Sequence, residues 1–256
     1  RRQRQMCIRD SLEGVEYFKN LRELIGAFHP LTSLRLSENT ALTKLNCRDS
    51  QLTALDLSKN KALTLLDCAY NQLTALDLAY NRGLRGLNCS GNQLSVLDLT
   101  QNPELTGLNC SHNRLTALDL TGNPALTQLD CRDNRLTSLD LAQNTALIRL
   151  DCHNNRLTAL NLTGNPMLTE LVCSYNLLPT LDLSENTELI RLGCSDNPLI
   201  RLNLSDLAKL EAVSFDYENH EIQVITNSQT AFVSDLTRYM QSIEAEKQKK
   251  YRQQEE

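Results

Sequence analysis

The protein has 256 residues, with 26 basic and 31 acidic side chains and a formal net charge of −5 at pH 7. Nucleic-acid-binding domains usually carry a basic stripe, so this balance argues against a phosphate-binding surface. No apolar stretch approaches the ~18 residues that a membrane-spanning helix needs. We therefore expect one domain, with neither a nucleic-acid partner nor a membrane span.

A repeat of 21 residues dominates the sequence. Residues 42–63 read LTKLNCRDSQLTALDLSKNKAL, and close variants of this unit continue to residue 204. The cysteines, leucines and asparagines of this unit all recur at the interval of 21 residues. A fixed period of about 20–29 residues with the pattern LxxLxLxxN is typical of leucine-rich repeats. Eight cysteines recur at the interval of 21 residues, and we call them the cysteine ladder: Cys47, Cys68, Cys89, Cys110, Cys131, Cys152, Cys173 and Cys194.

Each repeat contains the LxxLxLxxN pattern twice, which predicts a coil with two extended sides. Apolar Leu45 and Cys47 flank polar Asn46, and this alternation points the leucine and the cysteine inward. Stacked coils would place a parallel sheet on each broad face. The prediction is a mostly β leucine-rich repeat solenoid of about ten right-handed coils.

The ends of the chain depart from the repeat. We expect a tail and cap over 1–20, the solenoid over 21–219, and a strand, helix and charged tail over 220–256. Leu12, Val15 and Phe18 are spaced for a helical turn that covers the first coil, and apolar residues from Phe232 to Ile243 are spaced for a C-terminal helix. Both helices are interpreted as caps. The chain opens on Arg1, so we expect a fragment or a processed form.

The cysteines are interpreted as reduced thiols that act as small apolar residues. Eight of the nine occupy an inward strand position, where parallel side chains do not present the geometry of a disulfide; oxidation remains the alternative, and Cys7 lies outside the ladder. The spacing has no CxxC pairs, so no zinc is expected. Catalytic motifs are also missing from the sequence, and we expect neither enzyme activity nor a cofactor.

Candidate binding residues come from the outward positions of the cysteine strands, where the repeats differ. Arginine and tyrosine often dominate binding energy, and they are prominent among these positions. Drift of an unused surface is the alternative interpretation. The predicted partner-binding residues are Arg48, Tyr70, His112, Arg132, Arg149, His153, Tyr175 and Arg191.

A column of carboxylates lies in the second half of the repeat, including Asp56, Asp77, Asp98 and Asp119. Carboxylates stacked about 5 Å apart repel, so each needs a hydroxyl, an amide or a cation as partner. We expect structural hydrogen bonding here, with Ca²⁺ as the alternative.

The unit LxxLxCxxNxLTxLDLSxN resembles the 21-residue repeats of bacterial proteins of the internalin J type, whose hallmark is the cysteine ladder. The segment SLEGVEYFKNLREL, beginning at residue 11, is similar to the lead-in of that family. The resemblance implies a bacterial, secreted or cell-surface binding domain of the adhesin type, with a role in virulence and a protein partner. A cytoplasmic location, a substrate-recruiting arm of a larger effector, toxin or enzyme, and a structural spacer are the alternatives. We expect a monomer.

Overall fold

The computed structural model describes residue 12, residues 14–214 and residues 223–225. Within this part of the chain, one 3₁₀ helix, Val15–Tyr17, precedes thirteen short strands. The strands are β1 Glu23–Ile25, β2 Lys44–Asn46, β3 Leu65–Asp67, β4 Gly86–Asn88, β5 Gly107–Asn109, β6 Gln128–Asp130, β7 Arg149–Asp151, β8 Glu170–Val172, β9 Thr180–Leu181, β10 Arg191–Gly193, β11 Arg201–Asn203, β12 Ala212–Ser214 and β13 Gln223–Ile225.

The cysteine side of the coils forms a parallel sheet of ten strands in the order β1 to β8, then β10 and β12. The register moves by one repeat at each step, so Leu45 pairs with Leu66 and Leu66 pairs with Leu87. Because the register does not slip, each residue lies beside its counterpart 21 residues along the chain. The predicted leucine-rich repeat solenoid is confirmed.

The interior of the stack consists of leucines and cysteines. In one central coil, Leu105 and Cys110 have no exposed surface and Leu108 is 3% exposed. All eight ladder cysteines are buried and free. Truncating one such leucine to alanine in a packed core costs about 2–5 kcal/mol, so the inward positions tolerate little change.

Two ladders of buried asparagine hold the turns together. The Asn113 amide donates to the carbonyls of Cys89 (3.0 Å), Cys110 (3.1 Å) and Ser111 (3.1 Å), while its oxygen accepts the Leu94 amide (3.0 Å). The repeat of these bonds in successive coils confirms that this asparagine bonds backbone groups at the bend. Asparagines of the other column donate to backbone carbonyls in the same way, as Asn60 does to the Leu36 and Asn39 carbonyls.

The second side of the coils has a smaller sheet than expected. Among the described residues, only β9, β11 and β13 pair there, at the C-terminal end. Elsewhere on this side few backbone bonds join neighbouring coils, such as Gln72 N–H to the Leu52 carbonyl (2.8 Å). Asp77 accepts the Ala79 amide and so closes a turn within its own coil. The buried leucines therefore hold most of this side together.

The N-terminal cap is a single 3₁₀ turn. Leu12 and Val15 are buried against the first coil, and the Asn39 amide donates to the carbonyls of Val15 (2.9 Å) and Phe18 (3.1 Å). Phe18 was expected on the buried face but is 46% exposed, because so short a helix presents only one apolar face. The predicted strand near residues 221–226 is present as β13. Residues 1–11, the C-terminal helix and the charged tail lie outside the described residues.

Candidate binding face

The exposed side of the ten-stranded sheet carries a groove of about 640 Å³. Its lining comes from strands β1 to β8, so it crosses most of the sheet. The first and third residues of each strand face this groove because the middle residue points into the core. The solenoid therefore offers a concave face about eight strands wide.

The eight predicted binding residues occupy three kinds of position. Arg149 and Arg191 begin strands β7 and β10 and stand on the exposed sheet face. Another three directly follow a ladder cysteine, two residues after the strand ends, and the last three lie one position further, in the turn. These are Arg48, Arg132 and His153, followed by Tyr70, His112 and Tyr175.

The turn position has a left-handed backbone throughout the solenoid. Its φ angle is 53° at Tyr70, 51° at His112 and 54° at Tyr175. Glycine, asparagine and aspartate adopt this conformation most readily, and Asp133 and Asn154 occupy it in other coils. The turn therefore does not require a tyrosine or a histidine, so these side chains have no backbone reason to be there. The sequence alone did not show that the tyrosines at this position adopt a strained, left-handed backbone conformation.

Three of the predicted residues belong to a charged cluster on the coils that contain strands β5 to β7. His153 Nδ1 lies 2.7 Å from Asp151, and its Nε2 lies 3.7 Å from Asp133. His112 Nδ1 lies 3.3 Å from the same Asp133 carboxylate. Arg132 lies 3.6 Å from Asp151, so three of the predicted residues meet through two carboxylates.

The same cluster includes Asp130, which lies 3.6 Å from the Arg132 guanidinium. Burial raises the pKa of Asp130 above its ordinary value, while the neighbouring guanidinium opposes that rise. The carboxylates hold the histidines and Arg132 in place on this part of the face.

Arg149 and Arg191 flank Glu170 in neighbouring strands. Arg191 forms an ion pair with Glu170. Arg149 is exposed and has no ion-pair partner among the residues that the structure describes. Its guanidinium therefore remains available to a ligand on the sheet face.

A second group lies toward the N-terminal end. The Arg48 guanidinium stands 4.6 Å from the centre of the Tyr70 ring, in cation–π contact, and also bonds Asp49 (2.8 Å). The Tyr70 ring covers Gly91, because a Cβ atom at that glycine would lie 2.6 Å from the ring. Arg48 and Arg191 are seven coils apart, about 34 Å at the usual strand spacing. The predicted residues thus extend along most of the sheet.

Sequence reasoning missed one column of the face, the third residue of each strand. The alternation around the inward leucine and cysteine already placed it outward. Its carbonyl or carboxylate oxygens accept the amide two residues on, as Asn88 does from Ser90 (3.2 Å) and Asn109 from Ser111 (3.0 Å). Members of this column are Asn46, Asp67, Asn88, Asn109, Asp130, Asp151, Val172 and Gly193.

The aspartate column of the second side makes the hydrogen bonds expected of it. Asp98 accepts both the amide (2.9 Å) and the hydroxyl (2.7 Å) of Thr100, and Asp119 does the same with Thr121. These bonds from the threonine lower the pKa of both carboxyls. The column closes turns along the second side.

The cysteine ladder has little nucleophilic character. Burial raises the pKa of Cys47 and Cys89 to about 12, so the thiols stay protonated at neutral pH. No group of His, Cys, Asp and Glu among the described residues is arranged to hold a metal ion. In the same part of the chain, no helix has the length and apolar character needed to cross a bilayer.

None of the known protein-family profiles matches the chain, and no curated protein sequence does either. Solved structures do match. The chain is a leucine-rich repeat protein with 21-residue repeats and a cysteine ladder. It is similar to InlJ of Listeria monocytogenes, whose functional domain includes a cysteine ladder, with 39% identity, a TM-score of 0.80, and coverage of 84% of this chain and 51% of that one.

Two other solved structures share the fold. A leucine-rich repeat protein of Leptospira interrogans, LIC12759, is 22% identical, with a TM-score of 0.78 and coverage of 84% of this chain and 59% of that one. Internalin C2 of Listeria monocytogenes is 20% identical, with a TM-score of 0.65 and coverage of 78% of this chain and 84% of that one. The chain therefore spans about half the length of InlJ and somewhat more of LIC12759.

Proposed function

We propose that the protein is a non-catalytic binding module that captures a protein partner on the exposed face of its ten-stranded sheet. The observation that carries the proposal is the groove on this face, lined by positions that vary between coils whose inward positions are nearly identical. Leucine-rich repeat structures similar to this chain support a role in interaction. The fold needs the leucines, cysteines and asparagines, and it leaves the outward residues free to match a ligand.

The chemistry of the face supports a protein ligand. Arginine and tyrosine are enriched among residues that dominate protein interfaces, and Arg149 has no ion-pair partner within the described chain. Tyr175 is 57% exposed in spite of the strained backbone it adopts. Because the turn does not need a tyrosine there, contact with a partner is a sufficient reason for it.

The similarity to InlJ supports a place for the protein in a bacterium, secreted or at the cell surface, where it would act as an adhesin or host-interaction protein with a role in virulence. In this proposal the protein works as a monomer, because one concave face is enough for a single partner. It needs no metal and no cofactor to bind.

The proposal is tested by replacing Arg149, Tyr175 and Arg191 together with alanine. The immobilised protein is exposed to host-cell surface extract and to bacterial lysate, and the retained proteins are identified by mass spectrometry. We expect the parent protein to retain a specific partner and the variant to lose it, with both proteins melting at about the same temperature because exposed side chains contribute little to stability.

The matched control replaces Tyr80, Arg135 and Arg156 with alanine. It removes the same side-chain types from exposed positions on the second side of the coils. Capture that survives in this control and disappears in the variant of Arg149, Tyr175 and Arg191 supports the proposal. Equal capture by both variants would remove the sheet face as the binding site.

A further inference from the structure

Two neighbouring strands of the groove floor lack a side chain where most other strands of the sheet have a larger one. Gly86 and Gly107 begin strands β4 and β5. Neither has the positive φ angle that requires glycine, and a Cβ atom at Gly107 would meet nothing within 4 Å. Glycine weakens a strand, and it often marks a place where a ligand approaches closely. The backbone therefore explains neither glycine, and the space above Gly107 is open.

The glycines and their neighbours form a shallow uncharged depression, here called the glycine window: Leu65, Gly86, Asn88, Gly107 and Asn109. The Leu65 side chain leans over Gly86, since a Cβ atom there would lie 2.7 Å from Leu65 Cδ2, and Leu65 is still 43% exposed. The floor of the window is thus apolar and bare, which suits an aromatic side chain.

Hydrogen-bond donors line one edge of the window. The side-chain oxygens of Asn88 and Asn109 are used by Ser90 (2.8 Å from its hydroxyl) and Ser111 (2.7 Å). The side-chain NH₂ groups of Asn88 and Asn109 donate to nothing among the described residues. Two adjacent amide donors are therefore free to bind main-chain carbonyls of a ligand.

The groove carries a net negative charge. Five carboxylates and two cations line it, a net charge of −3: Glu23, Asp67, Asp130, Asp151 and Glu170 against Lys44 and Arg149. Asp67 and Asp130 stand on either side of the window, in strands β3 and β6. No ion pair holds Asp67 within the described chain. A ligand seated in the window therefore meets a carboxylate at each end, the one on Asp130 lying 3.6 Å from the Arg132 guanidinium.

From these features we infer that the glycine window takes an extended protein segment with the pattern basic–x–aromatic–x–basic, laid across the strands. Three strand steps of about 4.8 Å separate Asp67 from Asp130, so each lies about 7 Å from the middle of the window. In an extended segment, residues two apart point to the same side and are separated by about 6.7 Å. The aromatic residue then lies between β4 and β5, against Gly107, while the two basic residues reach Asp67 and Asp130 on either side.

This inference rests on the proposed function and names the chemistry of the partner. The probe is a fluorescein-labelled synthetic peptide whose core is Lys-Ala-Phe-Ala-Lys. Fluorescence anisotropy measures its affinity for the whole chain, and NMR shifts of the backbone amides of β3 to β6 locate it. We expect binding that weakens as salt is raised, because the carboxylates attract the lysines across solvent.

Two peptides and two protein variants test the details. Replacing phenylalanine by glycine, or both lysines by glutamate, should weaken binding at least about tenfold. Gly107→Leu fills the window and should also weaken binding at least about tenfold while leaving the melting temperature equal or higher, since leucine is a better strand former. The control is Gly83→Leu, where the added Cβ meets only the Leu63 carbonyl at 4.0 Å outside the groove, and it should bind as the parent does.

Unchanged binding by Gly107→Leu, equal affinity for the lysine and glutamate peptides, or no binding at millimolar peptide would overturn the inference. The capture experiment with Arg149, Tyr175 and Arg191 separates this from the proposed function. If the peptide fails while that triple variant still loses its partner, the groove binds a protein of different chemistry. If the peptide does not bind and the triple variant still retains its partner, the sheet face is not the binding site.

Discussion

Raising the pH should unfold this protein through its cysteine ladder. The eight thiols are at most 1% exposed. Burial raises the pKa of Cys47, Cys89 and Cys194 from 9.0 to about 12, and it raises the pKa of the other five as well. In the unfolded chain these thiols return to their ordinary pKa. Alkaline solution therefore favours the unfolded state, which releases the protons more easily.

The direction and the size of this change in the free energy of unfolding follow from proton linkage. A group whose pKa is higher in the folded state stabilises the fold fully below its unfolded pKa, and that stability is lost as the pH rises toward the folded pKa. The thiols therefore destabilise the fold over a pH range that begins near pH 9 and extends to about pH 12. At pH 10 each thiol costs between about 1 and 2 kcal/mol, and the eight together cost on the order of 10 kcal/mol. Domains of this size are stable by about 5–15 kcal/mol, so unfolding is expected before about pH 11.

The assay is urea unfolding followed by circular dichroism, under argon with a reductant, from pH 7.5 to 10.5. Tyrosines and lysines also titrate in this range, so the control replaces Cys89, Cys110 and Cys131 with alanine. This variant should be less stable at pH 7.5, because each lost sulfur leaves a small cavity. By pH 10 it should lose roughly 4 kcal/mol less than the parent. Parallel pH dependence in the two proteins would refute the argument.

Four further substitutions test the turns and the groove floor by the same urea assay. Asn113→Ala should cost about 2–4 kcal/mol, because it leaves the buried Leu94 amide without an acceptor, whereas Asn102→Ala, which loses only two donated bonds, should cost about 1–2 kcal/mol. Equal losses would show that the accepted bond contributes nothing. Gly91→Ala should cost about 1–2 kcal/mol, since its φ is +63° and a tyrosine ring covers it, while Gly107→Ala should be neutral or stabilising. A large loss in Gly107→Ala would mean that its strand has no room for a side chain.

The sequence predicts most of this fold because the repeat reports the same environment many times. Each inward position of the cysteine strand has eight near-copies, so Leu45 and Cys47 are identified as core by repetition as well as by alternation. The same repetition predicts the asparagine ladder, whose members bond the same backbone groups in successive coils. Periodicity did not show that strand pairing on the second side would be confined to the C-terminal end of the described residues, because paired and unpaired coils carry the same pattern, including the bond that Asp77 and Asp182 each accept.

The candidate site was harder to predict than the fold. Repetition separates fixed from variable positions, but it does not say which variable positions share a contact. Arg132 and His153 meet through Asp151, a residue in a column that the sequence reasoning passed over. The open space above Gly107 also depends on the side chains around it, so the sequence alone gave no sign of it. Whether these residues bind a partner stays a prediction.

The energetics of the coil explain why a binding face can vary on so regular a scaffold. The stability of each coil comes from leucines, thiols and asparagine bonds that point inward or lie within the turns, and each inward change costs several kcal/mol. Outward positions cost tenths of a kcal/mol to change, except in the left-handed turn, where tyrosine or histidine is retained at some expense. Strain at Tyr70 and Tyr175 and missing side chains at Gly86 and Gly107 are thus departures from what the coil prefers. Gly86 and Gly107 line the groove, and the turns with Tyr70 and Tyr175 follow strands that line it, so that is the side on which a ligand would act.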